Sequence, residues 1–153
     1  MFKLSKKAIA IILSIVSLML LCSCNSSKEE LSIYNHTWSF KYVQNSDGEI
    51  VYCNADNKAL YEGAEVLDLW NSAKGGVFVI SNNATQETFA LECWEKEKTA
   101  EAFIYDIKYL IQEDDIAVGL AEVSKTVNEN GNSEYTLIVS IEGYSIYFYE
   151  SIQ

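Results

Sequence analysis

An all-β fold, an antiparallel up-and-down meander of eight or nine strands, follows from three features of the 153-residue sequence. Beyond position 36 the apolar residues recur with a period of two rather than 3.6. Clusters of Asn, Gly, Asp and Ser interrupt them at short, regular intervals, as turns between strands do. No Pro-rich or Gly/Ser-rich linker divides residues 36–153, and no internal repeat is evident, so these strands belong to one domain.

The first strand, 36–43, sets Trp38, Phe40 and Tyr42 on one face and Thr37, Ser39 and Lys41 on the other. Asn45-Ser46-Asp47-Gly48 is a turn, and a short strand follows at 50–53. The stretch 54–65 is rich in polar residues, and 57–62 within it has the length of about one and a half helical turns. Strands are then expected at 66–70, 77–81, 87–94, 102–111, 116–127, 134–141 and 144–150. The breaks between them fall at 71–76, 82–85, 95–101, 113–115, 128–133 and 142–143.

Register is legible in the last two hairpins. A two-residue Glu142-Gly143 turn pairs Ile141 with Tyr144, Val139 with Ile146 and Leu137 with Phe148, all on one face. In the preceding hairpin, a two-residue Asn130-Gly131 turn would set Leu137 against Ser124. A three-residue loop with Gly131 left-handed pairs it with Val123 instead, and Val139 with Ala121, which keeps apolar residues together. Phe103, Tyr105, Ile107 and Tyr109 form a matching stripe, as do Phe89, Leu91 and Cys93. A meander of this length favours a closed or nearly closed barrel, since closure removes exposed edges. A two-sheet sandwich is the alternative.

The N-terminus has a different character. Lys3, Lys6 and Lys7 precede an apolar run at 8–21, and the chain turns polar at Asn25. This is the pattern of an export signal helix. This run of 14 residues, apolar except for Ser14 and Ser17, makes a helix of about 21 Å, short of the roughly 30 Å hydrocarbon core of a membrane. Leu21-Cys22-Ser23-Cys24 resembles a bacterial lipobox, with Leu at minus three, a small Ser at minus one and the Cys that receives lipid. The resemblance implies a lipoprotein signal peptide at 1–23, acylation (a palmitate-type anchor) at Cys24, and attachment to the extracytoplasmic face of the cell membrane. Cys22, preceded by bulky Leu21, fits less well and would leave with the signal; a cleaved signal without lipid is the alternative. Residues 24–35 are expected to form the tether and residues 36–153 the barrel.

After removal of 1–23 the chain would carry eight Lys, no Arg and 22 acidic residues, a formal charge of −14. Nucleic acid is excluded as a partner on that ground, because a phosphate backbone demands clustered cations. The same charge holds the domain off anionic lipid, so the membrane is a partner only through the lipid anchor.

A Trp early in the first strand, then a long excursion and a meander ending in aromatic strands, resembles the lipocalin-like group of small bacterial lipoproteins. Of the Gly-x-Trp signature of lipocalins, His36-Thr37-Trp38 retains the Trp alone. The resemblance implies a lipocalin-like barrel and no particular ligand.

Chemistry-bearing residues are few. His36 is the single histidine and stands outside any metal or triad spacing, so it reads as an exposed strand-start residue. Asp114-Asp115 and the Asp47-x-Glu49 pair are the carboxylates available for hydrolytic or calcium chemistry, but both sit where turns need polar residues. No catalytic site, metal site or cofactor is therefore expected. Cys53 and Cys93 are either a disulfide, closing a loop of about 40 residues for about 3–4 kcal/mol, or two separate buried thiols.

The aromatic content is the most suggestive feature, with ten Tyr, three Trp and six Phe. By alternation Trp38, Tyr42, Tyr105, Tyr109, Tyr135 and Tyr144 face inward, where buried hydroxyls need partners. They would line a cavity for a small apolar or amphipathic ligand, or else fill a core with wet rims. Ile138, Tyr147 and Tyr149 face outward and form a candidate docking patch for an envelope protein. The expectation is a non-catalytic binding module, with an interaction module of filled core as the alternative.

Overall fold

The structure is a computed structural model that describes residues 31–111 and 116–151. The signal-like segment, Cys24 and Asp114-Asp115 lie outside the described residues. Ten strands form one sheet: β1 (Trp38–Asn45), β2 (Ile50–Cys53), β3 (Glu65–Val66), β4 (Leu69–Lys74), β5 (Val77–Asn82), β6 (Thr88–Lys98), β7 (Ala102–Tyr109), β8 (Gly119–Val127), β9 (Ser133–Ile141) and β10 (Tyr144–Glu150). Their spatial order is β3-β2-β1-β10-β9-β8-β7-β6-β5-β4. From β4 to β10 every consecutive pair is antiparallel, and β10 returns beside β1; the short β2–β3 contact alone is parallel. The sheet curls into a half-barrel whose edge strand β4 reaches β1 through a side chain: Asn71 Nδ2 donates to the Trp38 carbonyl at 2.9 Å. The expected lipocalin-like meander is observed, in a single sheet rather than a sandwich.

The hairpin registers follow the turn chemistry. Ile141 faces Tyr144, Val139 faces Ile146, and Leu137 lies between Val123 and Phe148. Asn128 N donates to Asn132 O and Gly131 N to Asn128 O, with Gly131 at φ +80°, so the β8–β9 loop is the three-residue bulged turn. Glu142 and Gly143 stand at φ +51° and +82°, the mirror-type turn that matches strand twist.

Four expectations are corrected. The break at 71–76 is mostly strand: Asn71, Ser72 and Ala73 pair with Ile80, Val79 and Phe78, and the turn shrinks to Gly75-Gly76, both at positive φ. The 66–70 strand divides between β3 and β4, which begins at Leu69. The helical piece is a 3-10 helix at Ala55–Leu60. Tyr42 does not face inward, because β1 carries a bulge between Phe40 and Tyr42. One extra residue flips the alternation, so Val43 turns inward and Tyr42 outward. Asn54 holds the bulge: its N–H donates to Lys41 O at 3.0 Å and its Nδ2 to Phe40 O at 2.8 Å.

The core is apolar and aromatic. Phe148 meets Phe40 and Phe78 edge-on at 6.1 and 5.6 Å, and Phe103 stacks on Tyr105 at 4.3 Å. One end of the barrel is closed by the chain ahead of β1. Leu31, Ser32 and Ile33 are buried, the Ile33 carbonyl accepts from Trp38 Nε1 at 2.9 Å, and its N–H donates to Tyr105 Oη at 3.4 Å. The last part of the expected tether is thus a plug. Among the described residues the core runs from Leu31 to Phe148, and residues 31–153 form a compact unit with a core of its own.

Candidate functional site

The opposite end of the barrel is open. There residues from nine of the ten strands, all but β8, and from the turns between them surround a cavity of about 560 Å³, inside the roughly 300–1,000 Å³ range of small-molecule sites. Its walls are apolar because the inward positions are: Val43 of β1, Leu69 of β4, Ile80 of β5, Leu91 of β6, Ile141 of β9 and Ile146 of β10. The rim is aromatic and acidic, with Tyr52, Phe89, Tyr109 and Tyr144 beside Glu65, Glu87 and Glu142. Phe89 is 52% exposed and Tyr144 45%, both apolar faces held at the entrance. A larger hollow of about 770 Å³ lies between residues 48–52 and 60–65. It is an open trough along the β2 edge rather than an enclosed pocket.

Two rim groups are fixed to each other. Tyr109 Oη donates to Glu142 Oε1 at 2.7 Å. Desolvation, reinforced by the Glu142 carboxylate, pushes the Tyr109 hydroxyl up to about 12, so it stays a donor at neutral pH. Glu142 holds this position from a left-handed backbone that favours Gly or Asn, at the mouth of the cavity. Glu87 is tied down by Thr85 Oγ1 at 3.0 Å.

Of the six aromatic residues expected to line a cavity, Tyr109 and Tyr144 do so. Trp38, Tyr105 and Tyr135 are buried at the plugged end, where they fill the core. Tyr42 lies on the outer face, stacked on Tyr147 at 4.4 Å and edge-on to Tyr61 at 5.3 Å. It joins the outward patch: Ile138 pairs with Tyr147 across the β9–β10 ladder, and Lys41 Nζ sits 3.9 Å from the Tyr149 ring centre. Burial, the first cause, and the neighbouring tyrosines push the Tyr42 hydroxyl up to about 12.

Cys53 and Cys93 are free thiols. Cys53 pairs with outward Tyr42, whereas Cys93 pairs with inward Ile107, so the two point to opposite faces of the sheet and cannot bridge. Burial pushes the Cys93 thiol up to about 11 despite a lowering contact with the Tyr34 hydroxyl. That hydroxyl is itself buried with the thiol, a weak partner, beside it. His36 is not exposed. Its side chain is 8% accessible, its Nδ1 lies 2.7 Å from Glu150 Oε1, and its ring stacks on Tyr135 at 4.3 Å. The reason is position: it seals the plugged end beside Trp38. Asp47 and Glu49 serve their turn, their N–H groups donating to Asn45 Oδ1.

Alternation in the sequence located the inward stripes but not the acidic rim. Glu142 was legible as half of a two-residue turn joining two inward strands, which puts it at a barrel mouth. Glu87 opens the expected 87–94 strand with the parity of Phe89 and Leu91, directly after a turn, which is the same kind of signal; Glu65 carried none. Comparison with family models, with curated proteins and with solved structures finds no match to this chain.

Proposed function

We propose that this chain is a lipid-anchored extracytoplasmic lipoprotein, tethered through Cys24, and that its half-barrel is a non-catalytic binding module for a small amphipathic ligand. The observation that carries the reading is the mouth cavity of about 560 Å³, with aliphatic walls and a rim of tyrosines and carboxylates. Such a site rewards a ligand with an apolar body and a polar end. Leu31 and Ile33 enter the fold at the plugged end, next to Trp38 and Tyr105.

A second reading has its own support. The outer tyrosines Tyr42, Tyr61, Tyr147 and Tyr149 form one aromatic surface, which would serve an envelope protein as a docking patch. The two readings separate in one experiment. Residues 28–153, exported and purified without denaturant, are weighed by native mass spectrometry and again after denaturation. A discrete mass lost on denaturation supports the binding module, and Ile80→Trp, which fills the cavity, abolishes it. A bare mass that persists when the protein is mixed with membrane extract favours the docking patch.

A further inference from the structure

Resting on the mouth cavity as a binding site, we infer that its ligand is an organic cation with an apolar body, an amine or quaternary ammonium amphiphile. Every charged side chain lining the cavity, among the described residues, is a carboxylate: Glu65, Glu87 and Glu142. They stand at the rim while aliphatic side chains make the walls, so charge and apolar surface are separated along the barrel axis as they are in an amphiphilic cation. Tyr109 holds the Glu142 carboxylate at 2.7 Å and orients it at the entrance. The exposed rings of Phe89 and Tyr144 offer the faces that attract an ammonium group.

The alternatives fit less well. A neutral ligand would use the walls but desolvate the rim carboxylates without pairing them. An anion would meet three like charges inside a chain whose formal charge is already −11. A metal ion would need three converging ligands, and no group of three acidic, His or Cys side chains is so placed among the described residues.

The test compares three probes of one chain length, each below its micelle-forming concentration: decyltrimethylammonium, 1-decanol and decanoate. Their affinities for residues 28–153 are measured by isothermal titration calorimetry at low salt and again at 0.5 M NaCl. The expected order is the cation first, about tenfold tighter than the alcohol, and decanoate weakest. Added salt should narrow the gap. In Glu87→Gln/Glu142→Gln the cation's advantage should fall below about threefold. Equal affinity for cation and alcohol, or decanoate binding tightest, would overturn the cation assignment while leaving the cavity as the site. No binding of any probe up to about 1 mM would overturn the cavity reading as well. Should the double variant unfold in an accompanying circular dichroism melt, the ranking on the unaltered chain decides.

Discussion

Glu142 occupies a backbone conformation, φ +51°, that an L-residue other than Asn or Asp pays to adopt, at the first position of a mirror-type hairpin turn. It also accepts the Tyr109 hydroxyl at the cavity mouth. Strain and site coincide in one residue. Glu142→Asn should therefore stabilise the fold by about 0.5–1 kcal/mol in urea unfolding and weaken cation binding in the same protein. A loss of stability would mean that the Tyr109 contact outweighs the backbone strain. The residue scale also marks where sequence reasoning stops. Tyr105 and Tyr109 lie on one inward stripe, four positions and about 13 Å apart, yet Tyr105 is 2% exposed in the core and Tyr109 sits on the rim. Alternation assigns a face; depth along the barrel depends on which end the chain plugs.

The elements that sequence periodicity resolved are those in which turn chemistry and alternation agree. Gly131 and Gly143 fixed the β8–β9–β10 registers because each supplies the positive φ that its turn requires. Two other elements concealed themselves. The β1 bulge adds a single residue, inverts the face of Tyr42, and is held by Asn54, thirteen positions downstream of Lys41. Asn54→Ala removes the side-chain bond to Phe40 O and the cap on Asn57 N. It should cost about 1–2 kcal/mol, and should weaken the coupling of Tyr42 with Tyr147 in a double-mutant cycle. The plug was hidden because Leu31 and Ile33 are spaced like any polar tether with stray apolar residues. Ile33 is 0% exposed nonetheless. Ile33→Ala should cost about 2–4 kcal/mol although it lies outside every strand, whereas a free tether would show no change in the denaturation midpoint.

Across the whole molecule, several acids are held in their neutral forms by burial. Tyr42 and Tyr109 are pushed from 10 up to about 12, and Cys93 from 9 up to about 11. In each case the unfolded chain releases its proton at lower pH than the folded one. Stability from these groups is therefore complete below pH 9 and falls as pH rises towards 12. Thermal unfolding followed from pH 8 to 11 should show the melting temperature flat at first and then declining; Cys93→Ala should delay the onset. Both thiols should also resist alkylation at pH 8 until the protein is denatured, since Cys53 is fully buried and Cys93 stays protonated.

The most direct measurement of what the barrel does is a map of where an amphiphile lands. Backbone amide chemical shifts of residues 28–153 would be followed while decyltrimethylammonium is added. Binding in the mouth shifts the strand ends around Val43, Ile80, Phe89, Leu91 and Ile146 and leaves Trp38, Phe103 and Tyr135 at the plugged end unmoved. Shifts centred instead on Tyr42, Tyr147 and Tyr149, or no saturable shift at all, would contradict a mouth-binding module.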